Sequence, residues 1–182
     1  MKLVLIRHWE TENNVKNIST WHSDIWLTEL GKEQAKQAGQ SLLDQDIDID
    51  TIYSSTLIRA QETASIIKSI IWSVWWDINL SELMTERDLW LQTNQPRQNW
   101  VNITKLPEEE RVIEMEKLNI ESDNNLDSRI KQFLEILDQS NKENILLIWH
   151  RWWFKRMLSK VLWKDMPEDS LKNWSITIVD LQ

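Results

Sequence analysis

Lys2-Leu3-Val4-Leu5-Ile6-Arg7-His8-Trp9-Glu10-Thr11 is a short apolar run that ends abruptly on a guanidinium and an imidazole. An unbroken run of branched residues packs on both faces of a sheet, which is the pattern of a strand buried in a parallel sheet. A second run of this kind, Ile145-Leu146-Leu147-Ile148, ends on Trp149-His150-Arg151. In open α/β sheets ligands bind beyond the carboxyl ends of the strands, where the strand order reverses. Two imidazoles delivered to that edge by two strands are placed to meet across one crevice.

Outward from these two runs the chain alternates. Strands are predicted at Leu3-Ile6, Ile49-Tyr53, Ile145-Ile148 and Ile176-Leu181. Helices are predicted from Thr28 to Leu43, with Ala35, Ala38 and Leu42 on one face, and from Thr56 to Ile71, through Leu57, Ala60, Ala64 and Ile67. Asp127 is read as the cap of a helix carrying Ile130, Phe133, Leu134 and Leu137, and Phe154, Met157, Leu158, Val161 and Leu162 repeat the same spacing. Strand and helix in alternation predict an α/β fold, a three-layer α/β/α sandwich around a mostly parallel sheet. Residues 82–125 are polar and read as a long excursion over the active face, with a short helix at Glu108-Met115. With no repeat or linker, residues 1–182 are read as a single domain.

The net charge of -8 argues against a nucleic-acid surface, so an anionic ligand needs a local basic pocket. No run reaches the ~18 apolar residues of a membrane span. The first ten residues lack a secretory layout, because Arg7 and His8 interrupt them. The chain has no cysteine, which excludes disulfides and thiolate metal sites and fits a cytoplasmic location. Glycine is the anomaly. About 7% is ordinary, yet there are 2 glycines and 13 tryptophans in 182 residues. The deficit and the excess are of similar size, as if many Trp stand where Gly is usual.

Arg7 flanks His8, and Arg59 follows a third strand within Tyr53-Ser54-Ser55-Thr56-Leu57-Ile58-Arg59-Ala60. Guanidinium groups grip phosphate through fork geometry and keep their charge. An anion pocket of two Arg and two His is the reading. Taken singly, Arg59 is an ordinary solvated helix arginine and His150 a strand-end histidine bonded to backbone. The remaining histidine, His22, reads as a surface residue near the mouth, and Glu108-Glu110 as a solvated helix start.

Together these segments resemble the histidine phosphatase (phosphoglycerate mutase-like) superfamily. Arg7-His8-Trp9-Glu10-Thr11 is similar to that family's Arg-His-Gly-Glu-Thr, and Asn14 stands where it has an asparagine near the phosphate. Asp24-Ile25-Trp26-Leu27-Thr28-Glu29-Leu30-Gly31 resembles Asp-x-Pro-Leu-Thr-x-x-Gly. Ile52 to Ala64 resembles Tyr-Ser-Ser-x-Leu-x-Arg-Ala-x-x-Thr-Ala. Glu121-Ser122 and Ile148-Trp149-His150-Arg151-Trp152 match two later segments, in the same order along nearly the whole chain.

The resemblance implies that His8 attacks phosphorus and forms a phosphohistidine, with Arg7, Arg59 and His150 holding the phosphoryl oxygens. It implies Glu86, four residues before Trp90, as the acid to the leaving alcohol and the base to water, with Glu82 as the fallback. Asn14, Thr20 and Arg151 complete the expected substrate contacts. No metal or cofactor is called for. The implied partner is a small phosphorylated metabolite, with neither nucleic acid nor membrane.

Trp stands at the family's Gly in positions 9, 21, 90 and 152, at its Pro in position 26 and at a small residue in position 149. Trp75, Trp76, Trp153 and Trp163 also fall in places that read as turns or helix ends. Glycine at such sites permits positive φ or close backbone approach, and an indole at Trp9 or Trp152 is expected to fill space that a phosphate needs. Engineering, misassigned letters and natural divergence with loss of activity each account for the exchange.

Four functions follow as expectations. A metal-independent phosphatase of a small phosphomonoester comes first, because the family's mutases carry longer insertions after the acid segment. Phosphoglycerate mutase is the runner-up. A catalytically impaired relative that binds a phospho-ligand or partner is a different class, and a phosphatase of phosphohistidine or phosphotyrosine in proteins is a further one. Arg97, Lys105 and Arg111 read mainly as a solvated face with the capacity to meet a second anionic group.

Overall fold

Hydrogen bonding joins five strands into one sheet in the computed structural model, which describes residues 1–71, 77–99, 101, 103–161 and 176–181. They are β1 (Lys2–Arg7), β2 (Thr51–Ser55), β3 (Ile78–Ser81), β4 (Asn144–Trp149) and β5 (Ile176–Asp180), in the spatial order β3-β2-β4-β1-β5. All pairs are parallel except β1 with β5, which is antiparallel. The expected mostly parallel sheet is therefore present, with a reversed strand at one edge.

Two helical layers cover the sheet. On one face α2 (Glu29–Asp44) and α3 (Ile58–Ile70) bury Ala35, Ala38, Leu42, Ala60, Ala64 and Ile67 against Val4, Ile6, Ile52, Leu146 and Ile148. On the other, α5 (Asp123–Gln139) and α6 (Arg151–Arg156) bury Leu126, Ile130, Phe133, Leu137 and Phe154 against Leu3, Leu5, Ile145 and Leu147. Alternate residues of each strand serve opposite faces, as the pleat requires. Phe133 anchors the second layer by edge contacts to Tyr53 and Trp153, each at 5.6 Å between ring centroids. Among the described residues, no helix is long and apolar enough to cross a membrane.

Local chemistry sets the helix starts. The Thr28 hydroxyl accepts from the Gly31 N–H at 3.0 Å and begins α2 one residue later. The Ser122 hydroxyl accepts from the Asn125 N–H at 3.2 Å, so α5 begins at Asp123 and Asp127 lies inside it. Ser122 satisfies a first-turn N–H that a start at Asp127 would leave to the interior. The strand predicted at Ile49-Tyr53 sits two residues later, at Thr51–Ser55, because the Asp50 carboxylate binds the N–H groups of Glu143 and Asn144 instead of a strand partner.

The excursion contains α4 (Glu108–Lys117), covering the short helix predicted there, and single tight turns elsewhere. Ion pairs pin it to the second helical layer: Arg87 to Asp123 at 2.7 Å, Arg111 to Asp123 at 3.2 Å, and Arg129 to Glu121 at 2.6 Å. A further helix, α1 (Glu12–Val15), is four residues long and closed by a reciprocal cap between Thr11 and Asn14. Trp75, Trp76, Trp163 and the end of the last predicted helix at Leu162 lie outside the described residues.

Candidate active site

Strands β1 and β4 are neighbours in register, with Arg7 opposite Trp149. The next residue of each strand is a histidine, and the His8 N–H donates to the Trp149 carbonyl at 3.2 Å. The two rings thus converge, centroids 5.0 Å apart and planes tilted by 53°. Both are buried, His8 at 5% and His150 at 0% exposure.

Their partners assign the tautomers. A carbonyl only accepts, so the contact of 3.0 Å from His8 Nδ1 to the Trp9 oxygen places the ring proton on Nδ1. The other nitrogen, Nε2, then carries a lone pair and accepts from Arg59 Nε at 3.2 Å. Arg59 Nη2 donates to His150 Nδ1 at 3.3 Å, which leaves the His150 proton on Nε2. That Nε2–H is buried and has no hydrogen-bond partner among the described residues.

Burial, and next the Arg59 charge, push both histidines well below the ordinary imidazole value, so both are neutral at pH 7. Arg7 and Arg59 are lowered to about 10, chiefly by burial and partly offset by Glu86, and remain cationic. Arg59, 1% exposed, also donates to the carbonyls of Ser23 at 3.0 Å and Trp21 at 2.6 Å. Four partners fix its plane between the imidazoles.

A cavity of about 430 Å³ opens over these groups. Arg7, His8, Asn14, Thr20, Arg59, Glu86 and Arg151 all line it. His150 lies behind it, reaching Arg59 and packing on His8. The Thr20 hydroxyl is buried without a partner among the described residues, whereas the Asn14 oxygen is engaged by the Thr11 N–H and hydroxyl. Glu86 Oε1 accepts from the N–H groups of Arg87 at 3.0 Å, Trp152 at 3.1 Å and Trp153 at 3.2 Å. Among the described residues Oε2 makes a single hydrogen bond, 3.3 Å to the Trp152 N–H. Arg129 steadies this segment by donating to the carbonyls of Leu83, Thr85 and Glu86. Glu82 is exposed and absent from the cavity wall, which removes it as the fallback.

Two expectations about side chains change. The Trp9 indole does not fill the phosphate space; it packs into the first helical layer with Ala35 and Ala38. Trp152 and Trp21 do line the cavity, with centroids 6.4 Å apart. Of the three cations considered for a second anionic group, Arg97 reaches the cavity, whereas Arg111 pairs with Glu108 and Asp123 and Lys105 is not in the wall. Sequence reasoning passed over Arg87 and Gln92, both buried in the wall. Glu-Arg-Asp looks like solvated charge, and only the fold shows Arg87 turned inward to Asp123 and the Glu121 carbonyl.

The arrangement offers a lone pair at the base of a cationic pocket, a carboxylate at its side and an unpaired N–H behind it. The chain matches the family model "Histidine phosphatase superfamily (branch 1)" over residues 3–182. It is 36% identical over 102 residues to a 2,3-bisphosphoglycerate-dependent phosphoglycerate mutase of Nitrobacter winogradskyi, covering 54% of this chain and 49% of that one. The matched region thus spans about half the length of that curated relative. Among solved structures, the alpha-ribazole phosphatase of Shigella flexneri superposes with a TM-score of 0.78 at 23% identity, over 100% of this chain and 91% of that chain. A mutant phosphoserine phosphatase of Entamoeba histolytica, in complex with phosphoserine, superposes with a TM-score of 0.73 at 26% identity, covering 97% and 89%. With the family model spanning the sheet, both helical layers and the cavity, the chain belongs to the histidine phosphatase superfamily, and its fold is phosphoglycerate mutase-like.

Proposed function

We propose that this protein hydrolyses a small phosphomonoester, without metal, through a phosphohistidine on His8. One observation carries the reading: Nδ1 of His8 is held as a donor by the Trp9 carbonyl, so Nε2 carries the lone pair, which accepts from Arg59 Nε and is freed for phosphorus when a phosphoryl oxygen takes over that N–H. A neutral imidazole is the nucleophilic form, and burial keeps it neutral.

Nε2 attacks phosphorus while the bond from phosphorus to the ester oxygen breaks. The leaving alcohol takes its proton from Glu86, at Oε2, the oxygen less engaged by backbone. Arg7, Arg59 and the His150 Nε2–H offset charge on the transferring oxygens, with Thr20, Asn14 and Arg151 around the substrate. Water then attacks the phosphohistidine, Glu86 accepts its proton, and Nε2 is released with inorganic phosphate.

The structural neighbours named as phosphatases support transfer to water. The mutase named among the relatives supports a second reading, transfer back to a bound phosphoglycerate. Incubation with 3-phosphoglycerate separates them by free phosphate against the 2-isomer. A screen of small phosphomonoesters without added metal, beside His8→Ala, tests the class itself. Acid-labile label on the wild type alone is expected; equal turnover by both proteins refutes the mechanism, and neither label nor turnover favours a binding-only relative.

A further inference from the structure

Six described non-glycine residues hold a positive φ: Asn17, Trp21, Asp46, Asn94, Asn119 and Asn141. Five are Asn or Asp, whose short polar side chains tolerate the left-handed region, and the sixth is Trp21, at 35°. A bulky residue has no such tolerance; glycine is the residue that region favours. Trp149, 1% exposed, has an indole N–H with no hydrogen-bond partner among the described residues. Its ring centroid sits 3.8 Å from that of Phe154 at 36°, closer than the ~4.5–7 Å of favourable aromatic pairs. Trp26 is 62% exposed in the turn entering α2. A left-handed turn, a buried strand end and a solvated loop share no structural role, yet each carries an indole.

We propose that the protein made in its source cell carries glycine at the tryptophan positions, because one codon read elsewhere as tryptophan is decoded there by a glycine-charged tRNA. A single codon explains three features together. The exchange runs to one residue type, whereas divergence scatters replacements over many. It restores glycine to about the ordinary 7% of residues. It also spares some glycines, since glycine has several synonymous codons. Gly31 and Gly39 are the spared ones, and they are sites of close approach: an added Cβ meets the Glu10 carbonyl at the first and Ile70 at the second. Trp153 is where an indole fits, its N–H donating to the Leu83 carbonyl at 2.6 Å, and it marks the position least strongly argued by geometry. Trp72, Trp75, Trp76, Trp100, Trp163 and Trp174 enter by composition alone.

One consequence rests on the phosphatase reading. Trp21 and Trp152 stand 6.4 Å apart in the cavity wall. Glycine at both removes two indoles beside the phosphoryl groups and admits a leaving group larger than this wall now allows.

Peptide mass spectrometry of the protein purified from its own cells reads the residues directly. The tryptic peptides His8–Lys16 and Trp152–Lys155 are expected at the masses of one and two Trp→Gly exchanges. Tryptophan masses in either peptide overturn the proposal, whatever the enzyme does. A second measurement compares two chains made from recoded genes, one as written and one with all thirteen positions changed to glycine. The glycine chain is expected to be better folded by circular dichroism and to raise kcat/KM on phenyl phosphate by about tenfold or more. A glycine chain that is less folded than the original overturns the claim that these sites are built for glycine. Glycine masses and a well-folded glycine chain without turnover sink the phosphatase reading instead and leave this inference standing.

Discussion

Lowering the pH from 7.5 to 5.5 should remove a large fraction of the folding free energy, through His8 and His150. Both rings are neutral in the folded protein because burial, then Arg59, holds their pKa values well below the ordinary imidazole value. In the unfolded chain each titrates near 6.5. The sign follows directly: below about 6.5 the unfolded state binds more protons, so stability falls as pH falls. While the folded values lie far lower, each histidine contributes a loss on the order of 1 kcal/mol by pH 5.5, and the pair roughly twice that. That is large beside a typical total of about 5–15 kcal/mol. The charged groups around the rings reinforce the effect: Arg59 and Arg7 disfavour an imidazolium at either ring, and His8 and His22 do so at His150, while the Trp9 carbonyl opposes them in part at His8. Asp123, lowered against Arg87, Arg156 and Arg111, loses its contribution at more acid pH and stays outside this window. Urea unfolding at the two pH values measures the difference, with His150→Asn expected to show about half of it. Equal stability at pH 7.5 and 5.5 in the wild type would refute the assignment of two buried neutral imidazoles.

Four other outcomes are open to measurement. Arg59→Lys keeps the charge but cannot span His8, His150 and two carbonyls, so kcat/KM should fall by about 10²–10³ with helix content retained; a loss under tenfold contradicts the role of the fork. In Glu86→Gln, kcat on an alkyl phosphate should drop by about 10²–10⁴, and far less on p-nitrophenyl phosphate, whose leaving group needs no proton; equal losses on both remove Glu86 as the acid. Phe133→Ala vacates a fully buried site between Tyr53 and Trp153 and should cost about 3–5 kcal/mol in denaturant unfolding. Gly31→Ala drives a Cβ into the Glu10 carbonyl next to the His8 turn, so both the melting temperature and activity should decline; a variant indistinguishable from wild type would show that the turn yields freely.

What could be read from the chain divides along physical lines. Buried parallel strands are nearly continuous apolar runs, so β1 and β4 announced themselves, and with them the pairing of His8 and His150. β3 did not, because Ile78-Asn79-Leu80-Ser81 is a short edge strand with no fully buried residue. The register of β2 slipped by two residues because Asp50 was free, in sequence, to be either strand or loop; its carboxylate in fact terminates the neighbouring strand's start. The start of α5 was misplaced because Ser122 and Asp127 are both acceptable caps, and the choice between them is made by tertiary contacts of the preceding excursion.

The site obeys the same division, and its limits show where the reaction's control lies. Residues attached to strand ends were legible, since topology alone carries Arg7, His8 and His150 to one edge of the sheet. On the excursion, Glu86 was reached only through the family resemblance and Arg87 and Gln92 were not read at all, because inward turns there depend on ion pairs formed only after folding: Arg87 with Asp123, and Arg129 with Glu121 and the carbonyls around Glu86. Glu86 therefore sits where Arg129 puts it. Arg129→Met should leave nucleophilic attack geometry at His8 intact and displace the proton donor, lowering kcat on alkyl phosphates more than on p-nitrophenyl phosphate, as Glu86→Gln does. Combining the two substitutions should cost little more than Glu86→Gln alone, because groups acting through one another are not additive. Fully additive losses would mean that Arg129 serves the fold and not the proton.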